Sequence, residues 1–518
     1  MSMEKSFERI ALNKFLGKDS TQVLLEGDII VPDVKPDIGR VVRAESRAVI
    51  SKIEATAGRA DYLGALNISI LYLDALMGVH TLSIAAPIED NIAIDGLGRD
   101  SWVNILPTIE HFDHWVTNDR KMGYRAVIEI KYSAMEQKSI EVVSGISGLP
   151  ASQIRRVNLS ALRVVDKRID NFPIKDELVI PSNKPNIREI LQFNTSIANK
   201  EIRVAQGRLG ISGDLGITVL YRGETEGVVE FEEFSLPFNG TIDMPKAADG
   251  QFADCLLNVV NVSLRPRPDE DGEDRVLVLD VQVAADVTLT AVDNIETLDD
   301  AYCLNKDLVF TRENVNLSRL ICRSRSSANV KEALQIEDAP PILRILKVDG
   351  RIQLDELKLL DDKAAAEGII LADILYVADN DDAPIHSHQA MIPFRQVMEI
   401  RGAAAGMDCD LTHAIDHIGF NLLGAAEIEL RFALSFAAAV QKSITAQLIT
   451  DIEFNDLSRE TIDAMPSMAI VSIDHSDSLW SIAKKYNANL DELMQINEIA
   501  QPEDLQVGAK ILVVKSVS

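Results

Sequence analysis

Apolar and polar residues alternate along much of this chain, with the period of two that places successive side chains on opposite faces of a strand. The clearest run is RVLVLDVQVAADVTLTAV, Arg275–Val292, rich in the Val and Thr that suit a pleated surface. LGITVLYR, GVVEFEEFSLPF and YRAVIEIKYSA follow the same pattern. AEIELRFALSFAAAV is richer in alanine and resembles a helix by composition, but its place in the repeat described next assigns it to a strand.

The strand pattern recurs three times. Ile-Leu-Tyr-Leu at Tyr72 returns as Val-Leu-Tyr-Arg at Tyr221 and as Ile-Leu-Tyr-Val at Tyr376, in steps of 149 and 155 residues. Upstream of each lies a proline turn: VPDVKPDI with Pro36, IPSNKPNI with Pro185, and a divergent IEDAPPIL with Pro341. Downstream come APIE at Pro87, LPFN at Pro237 and IPFR at Pro393. The Tyr-to-Pro interval grows through DALMG, GETEG and ADNDDAP, segments that read as hairpin loops because loops tolerate insertion. VNLS recurs at Val157 and Val315, at the entry to the second and third copies. The sequence therefore predicts a mainly β protein with three all-β, sandwich-like modules over residues 1–150, 151–310 and 311–455. The tyrosines are expected to pack with a hydrogen-bonded tip, and the prolines to turn the chain.

A polar stretch, 456–467, reads as a linker, and the pattern then changes. MAIVSI is a short strand. Asp477 is placed to cap a helix with Leu479, Ile482, Ala483 and Tyr486 on one face. Asn489 opens a second helix, with Glu492 completing a capping box, and Leu490, Leu493 and Met494 form its stripe. Asn497, on the same face, is expected to tie the following loop to the helix end. Gly508 precedes KILVV, a closing strand, so 468–518 reads as a small α+β (βααβ) domain.

Composition narrows the function. Acidic residues outnumber basic ones 80 to 52, a net charge of −28 that argues against nucleic acid or an anionic membrane surface as a partner. Charges at Glu4, Lys5, Glu8, Arg9 and Lys14 break any leader-like apolar run, and four cysteines without a C-x-x-C suggest a reducing compartment. The expectation is a cytoplasmic protein. No nucleotide-loop, nucleophile-elbow or zincin motif is present, so neither an enzyme nor a cofactor is expected. His413 and His417 with Cys409 and Asp416, the pair His111 and His114, and DEDGED at Asp269–Asp274 are read as ordinary strand and hairpin residues rather than metal sites. Trp480 has two compatible readings: it fills the small core, or it lies partly exposed beside Ser476–Ser478 and anchors a partner.

The tail resembles the LysM domain, on Asp477, Ser478, Leu479, Trp480, Ile482, Ala483, Asn497, Gly508 and Ile511, with Ser476 where the usual glycine would be. Together with KPDI at Lys35–Ile38 and KPNI at Lys184–Ile187, the whole is similar to the SipL family of spore-coat morphogenetic proteins, whose repeats are SPOCS domains. The resemblance implies a non-enzymatic adaptor in the mother-cell cytoplasm at the forespore surface. It implies further that the LysM domain grips a SpoIVA-type coat ATPase rather than a glycan. The residues expected at that contact are Met468, Ile473, Asp477, Ser478, Trp480 and Asn497. A glycan-binding protein of cortex or wall is the alternative, and an enzyme built from the β modules a weaker one.

Overall fold

A computed structural model describes residues 4–149, 152–224, 229–304, 306–337, 340–379, 385–457, 460, 466–502 and 505–515. The fold is mainly β, with a small α+β domain at the C-terminal end, and no helix interrupts the described residues from Glu4 to Asp456. In module 1 the strands are β1 Glu4–Ile30, β2 Arg40–Thr56, β3 Arg59–Leu73, β4 Val79–Ala93, β5 Trp102–Asn118 and β6 Lys121–Ser147. They form two three-stranded antiparallel sheets, β1-β6-β5 and β2-β3-β4, packed on one core. Module 2 repeats this with β7 Ser152–Val179, β8 Ile187–Ala205, β9 Arg208–Gly223, β10 Val229–Asp243, β11 Phe252–Pro268 and β12 Asp274–Cys303. Module 3 does so with β13 Lys306–Gln335, β14 Ile342–Leu360, β15 Lys363–Ala378, β16 Ile385–Glu399, β17 Asp408–Leu422 and β18 Glu427–Asp456.

Alternation drives this directly. In β12, Leu277, Leu279, Val281, Val283, Ala285, Val287 and Leu289 all face the core and are buried. The alanine-rich segment of module 3 is strand as well, lying within β18. Tyr72 and Tyr221 donate their hydroxyls to the carbonyls of Pro36 and Pro185, at 2.8 and 3.2 Å, fastening each proline turn to the middle strand of its sheet. Parts of IEDAPPIL, GETEG and ADNDDAP lie outside the described residues.

In each module the first and last strands outrun the sandwich. β5 pairs with β6 only as far as Met135, and from there to Ser147 β6 pairs with β1 alone, as a two-stranded ribbon. The three ribbons lie side by side. Ile10, Leu12, Ile140 and Val142 from the first, Ala161 and Ile295 from the second, and Leu317 and Leu448 from the third share one core.

At the other contact the sandwiches meet in a ring. Val42, Leu191 and Leu346 hold equivalent places in the repeat, as do Leu71, Leu220 and Leu375, and all six are buried in one cluster with Val79, Val229 and Ile385. Equivalent residues from three modules can share one cluster only around an axis of approximate threefold symmetry. The polar contacts around it run in one rotational sense. Arg43 of module 1 donates to Asp349 of module 3 at 2.7 Å, and Gln192 of module 2 to Glu45 of module 1 at 3.4 Å. With the Asn194 amide of module 2 turned so that its oxygen faces Lys347 of module 3, Lys347 donates to it at 2.5 Å, closing the circle. Strand β4 contacts β8, β10 contacts β14, and β16 returns to β2.

The tail domain pairs β19 Met468–Ser472 with β20 Lys510–Val514 around α1 Leu479–Tyr486 and α2 Leu490–Ile496. The expected linker lies largely outside the described residues, and its first residue, Asp456, is the last of β18.

Candidate docking site on the tail domain

Helix α1 begins differently from expectation. Its N-cap is Ser478, whose hydroxyl accepts from the Ser481 backbone N–H at 3.1 Å, while the Ser481 hydroxyl caps the Ser478 N–H in return. Asp477 stands one residue too early; its carboxylate accepts from the Asp474 N–H at 3.0 Å and closes the loop before the helix. Asn489 caps α2, accepting from the N–H groups of Asp491 and Glu492. Asn497 reaches further than the next loop. Its amide donates to the carbonyls of Leu493 and Leu512, both at 2.8 Å, and accepts from the Leu512 N–H at 2.7 Å, so it joins α2 to β20.

The six candidate residues therefore differ in what they offer. Met468 is 62% exposed on β19, next to Ile470 at 72%, on the outer face of a two-stranded sheet. Ser478 is exposed and Asp477 half-buried at the helix entrance. Ile473 is buried, its backbone bonded to Gly508 and Ala509, where Gly508 takes the positive φ that a glycine adopts without strain. Asn497 is half-buried within the domain.

Trp480 is covered, with only 8% of its surface exposed. Its ring meets Tyr302 edge-on at 5.1 Å between centroids, and Arg155 lies over it at 5.2 Å. The indole N–H donates to Asp300 Oδ2 at 2.8 Å, and Lys484 Nζ sits 2.6 and 2.9 Å from the two oxygens of the same carboxylate. Tyr302 donates its hydroxyl to the carbonyl of Ala488 at 2.8 Å, and the Asn487 amide donates to the carbonyl of Leu304. Asp300, Tyr302 and Leu304 belong to the tip of the second ribbon. The tail domain is thus seated on the module 2 ribbon through α1. Lys484, Asn487, Asp300 and Tyr302 escaped the sequence reading. The available signal was faint, since the places of Asp300 and Tyr302 are Gly145 and Ser147 in module 1 and Asp451 and Glu453 in module 3.

Burial tends to raise the Asp300 carboxyl, and Lys484 and Trp480 more than offset it, so the group sits below its ordinary value. His413 is pushed down by burial. Among the described residues no group of three or more His, Cys, Asp or Glu is arranged to hold a metal ion. Asp269 instead accepts the N–H groups of Asp271 and Glu273 in its hairpin.

Residues 37–117, 186–265 and 341–423 each match the SipL, SPOCS domain model, and residues 476–514 match the LysM domain model. The chain carries the three SPOCS domains and the C-terminal LysM domain of the SipL family. Each SPOCS match covers β2 to β5, β8 to β11 or β14 to β17, leaving the long ribbon strands outside it. No curated protein and no solved structure matches the chain. SPOCS and LysM domains in this arrangement are those of a coat-associated adaptor of sporulation, and neither is a known enzyme family. No helix among the described residues is long and apolar enough to cross a membrane.

Proposed function

We propose that this protein is a non-enzymatic adaptor whose LysM domain docks on a SpoIVA-type coat morphogenetic ATPase at the forespore surface, on the mother-cell side, while the SPOCS body organises further coat proteins. The observation that carries this is the exposed apolar face of β19. Met468 and Ile470 are exposed in a domain whose sequence holds seven acidic and four basic residues. An exposed apolar patch suits a protein surface. A sugar ring favours an aromatic platform, and the single tryptophan of this domain is turned inward against Tyr302. In this reading Met468, Asp477 and Ser478 meet the partner directly, Ile473 and Asn497 hold the strand and helix ends that present them, and Trp480 joins the contact when uncovered.

The test is a titration of the full chain with the purified ATPase and, in parallel, with chitin and peptidoglycan oligosaccharides. Saturable binding of the ATPase alone is expected, weakened about tenfold or more by Met468→Asp, a loss of at least about 1.4 kcal/mol. Saturation with sugar alone would make the tail a glycan grip.

A further inference from the structure

The ribbon tip of module 2 carries a surface that its own module does not need. At the equivalent of Asp300 and Tyr302, module 1 folds the same ribbon with Gly145 and Ser147. The Asp300 carboxylate is nearly buried, and the tail domain supplies its nearest donors, Trp480 and Lys484. Within the ribbons it keeps the Ala301 N–H at 2.9 Å and Arg312 at 3.9 Å. Arg155, over the tryptophan ring, is itself paired with Asp299 at 2.6 Å. The joint is therefore a small aromatic contact enclosed by charge-assisted hydrogen bonds. Such bonds are stronger than neutral ones, but opening the joint returns their groups to water, so only part of that strength holds it shut.

Its closure is helped by the tether. Residues 457–467 connect the end of β18 to β19, so the two surfaces belong to one chain and meet without a bimolecular encounter. A contact closed within one chain stays shut yet remains open to competition.

We propose that the module 2 ribbon tip is an intramolecular binding site for the LysM domain, a latch that covers Trp480 and competes with an external protein for the α1 face. The proposal rests on the docking reading above. A latch closed nine-tenths or more of the time lowers the apparent affinity of a ligand that needs Trp480 by about tenfold or more.

The experiment uses the full chain carrying Asp300→Gly and Tyr302→Ser, the residues that module 1 already accommodates at the same places. Hydrogen exchange is followed in the segment 479–488, and affinity for the ATPase is measured alongside. Faster exchange in that segment, with unchanged protection of the ribbon strands and an affinity about tenfold tighter, is the expected result. A Lys484→Glu variant, which sets two carboxylates against each other from the tail side, should also speed exchange. Unchanged exchange in both variants would mean there is no latch. Faster exchange with equal or weaker ATPase binding would make the joint a fixed mount and overturn the proposal. If no form binds the ATPase, the docking reading falls, and the intramolecular site is then decided by the exchange measurement alone.

Discussion

Asp300 shows how a single side chain can be invisible to sequence reasoning and still matter. It sits in DNIETLDDAYC among other acids, and nothing local marks it out. Its importance comes from Trp480 and Lys484, 180 and 184 positions away along the chain. Trp480 was legible, because tryptophan at that point of a LysM-like pattern is distinctive, but the surface that covers it was not. The charge on Asp300 has a testable consequence. Because its folded carboxyl lies below the ordinary value of 3.8, the joint gains stability that is complete above that value and is lost as pH falls through the lowered one. The charged groups facing Asp300 are Lys484 of the tail domain and Arg312 of the third ribbon, and beside it Asp299 is paired with Arg155. Tryptophan emission of the full chain should be flat from pH 8 to about 5 and change in acid. Subtracting the same titration of an Asp300→Asn variant should remove that change; an identical acid transition in both chains would exclude Asp300 as its source.

Elements were read more successfully than their joints. Strand alternation, the repeated tyrosines and the four elements of the tail domain were all visible, because each depends on spacing within one segment. The cap of α1 was misplaced by one residue, since Asp and Ser are both good caps and only the backbone decides between Asp477 and Ser478. A feature of the middle strands needed the structure outright. Gly64, Gly213 and Gly368 are equivalent residues facing a bend in the neighbouring strand. A Cβ at Gly64 would lie 2.2 Å from the Val49 carbonyl oxygen, and at Gly368 2.3 Å from that of Gln353, but at Gly213 3.0 Å from that of Ala198. Alanine at Gly64 or Gly368 must therefore push the strands apart, at a cost of about 3 kcal/mol, whereas at Gly213 a small shift suffices and about 1 kcal/mol is expected. Urea unfolding of the three single variants tests the order, and a Gly213 variant as unstable as the other two would contradict it.

At the scale of the molecule, the period of about 150 residues indicated three modules but not how they meet. The contacts that close the ring are chemically different at each step: Arg43 on Asp349, Gln192 on Glu45, Lys347 on Asn194. A search for repeated motifs passes over such positions because they have diverged. Their divergence has a physical use. Three identical interfaces would let modules from separate chains pair in any order, whereas three different ones specify a single closed arrangement within one chain. The apolar layer beside them has kept its repeat, with Leu71, Leu220 and Leu375 all buried at the axis. The three leucines share one buried cluster, so one charge placed there should loosen the whole ring rather than its own module. Leu71→Asp, Leu220→Asp and Leu375→Asp should each destabilise the SPOCS body by similar amounts, about 3 kcal/mol or more. Two of them combined should cost less than their sum, because the first has already opened the axis that the second would disturb. Denaturant titrations of the single and paired variants decide this: full additivity would mean that the modules respond independently and that the ring is not a cooperative unit.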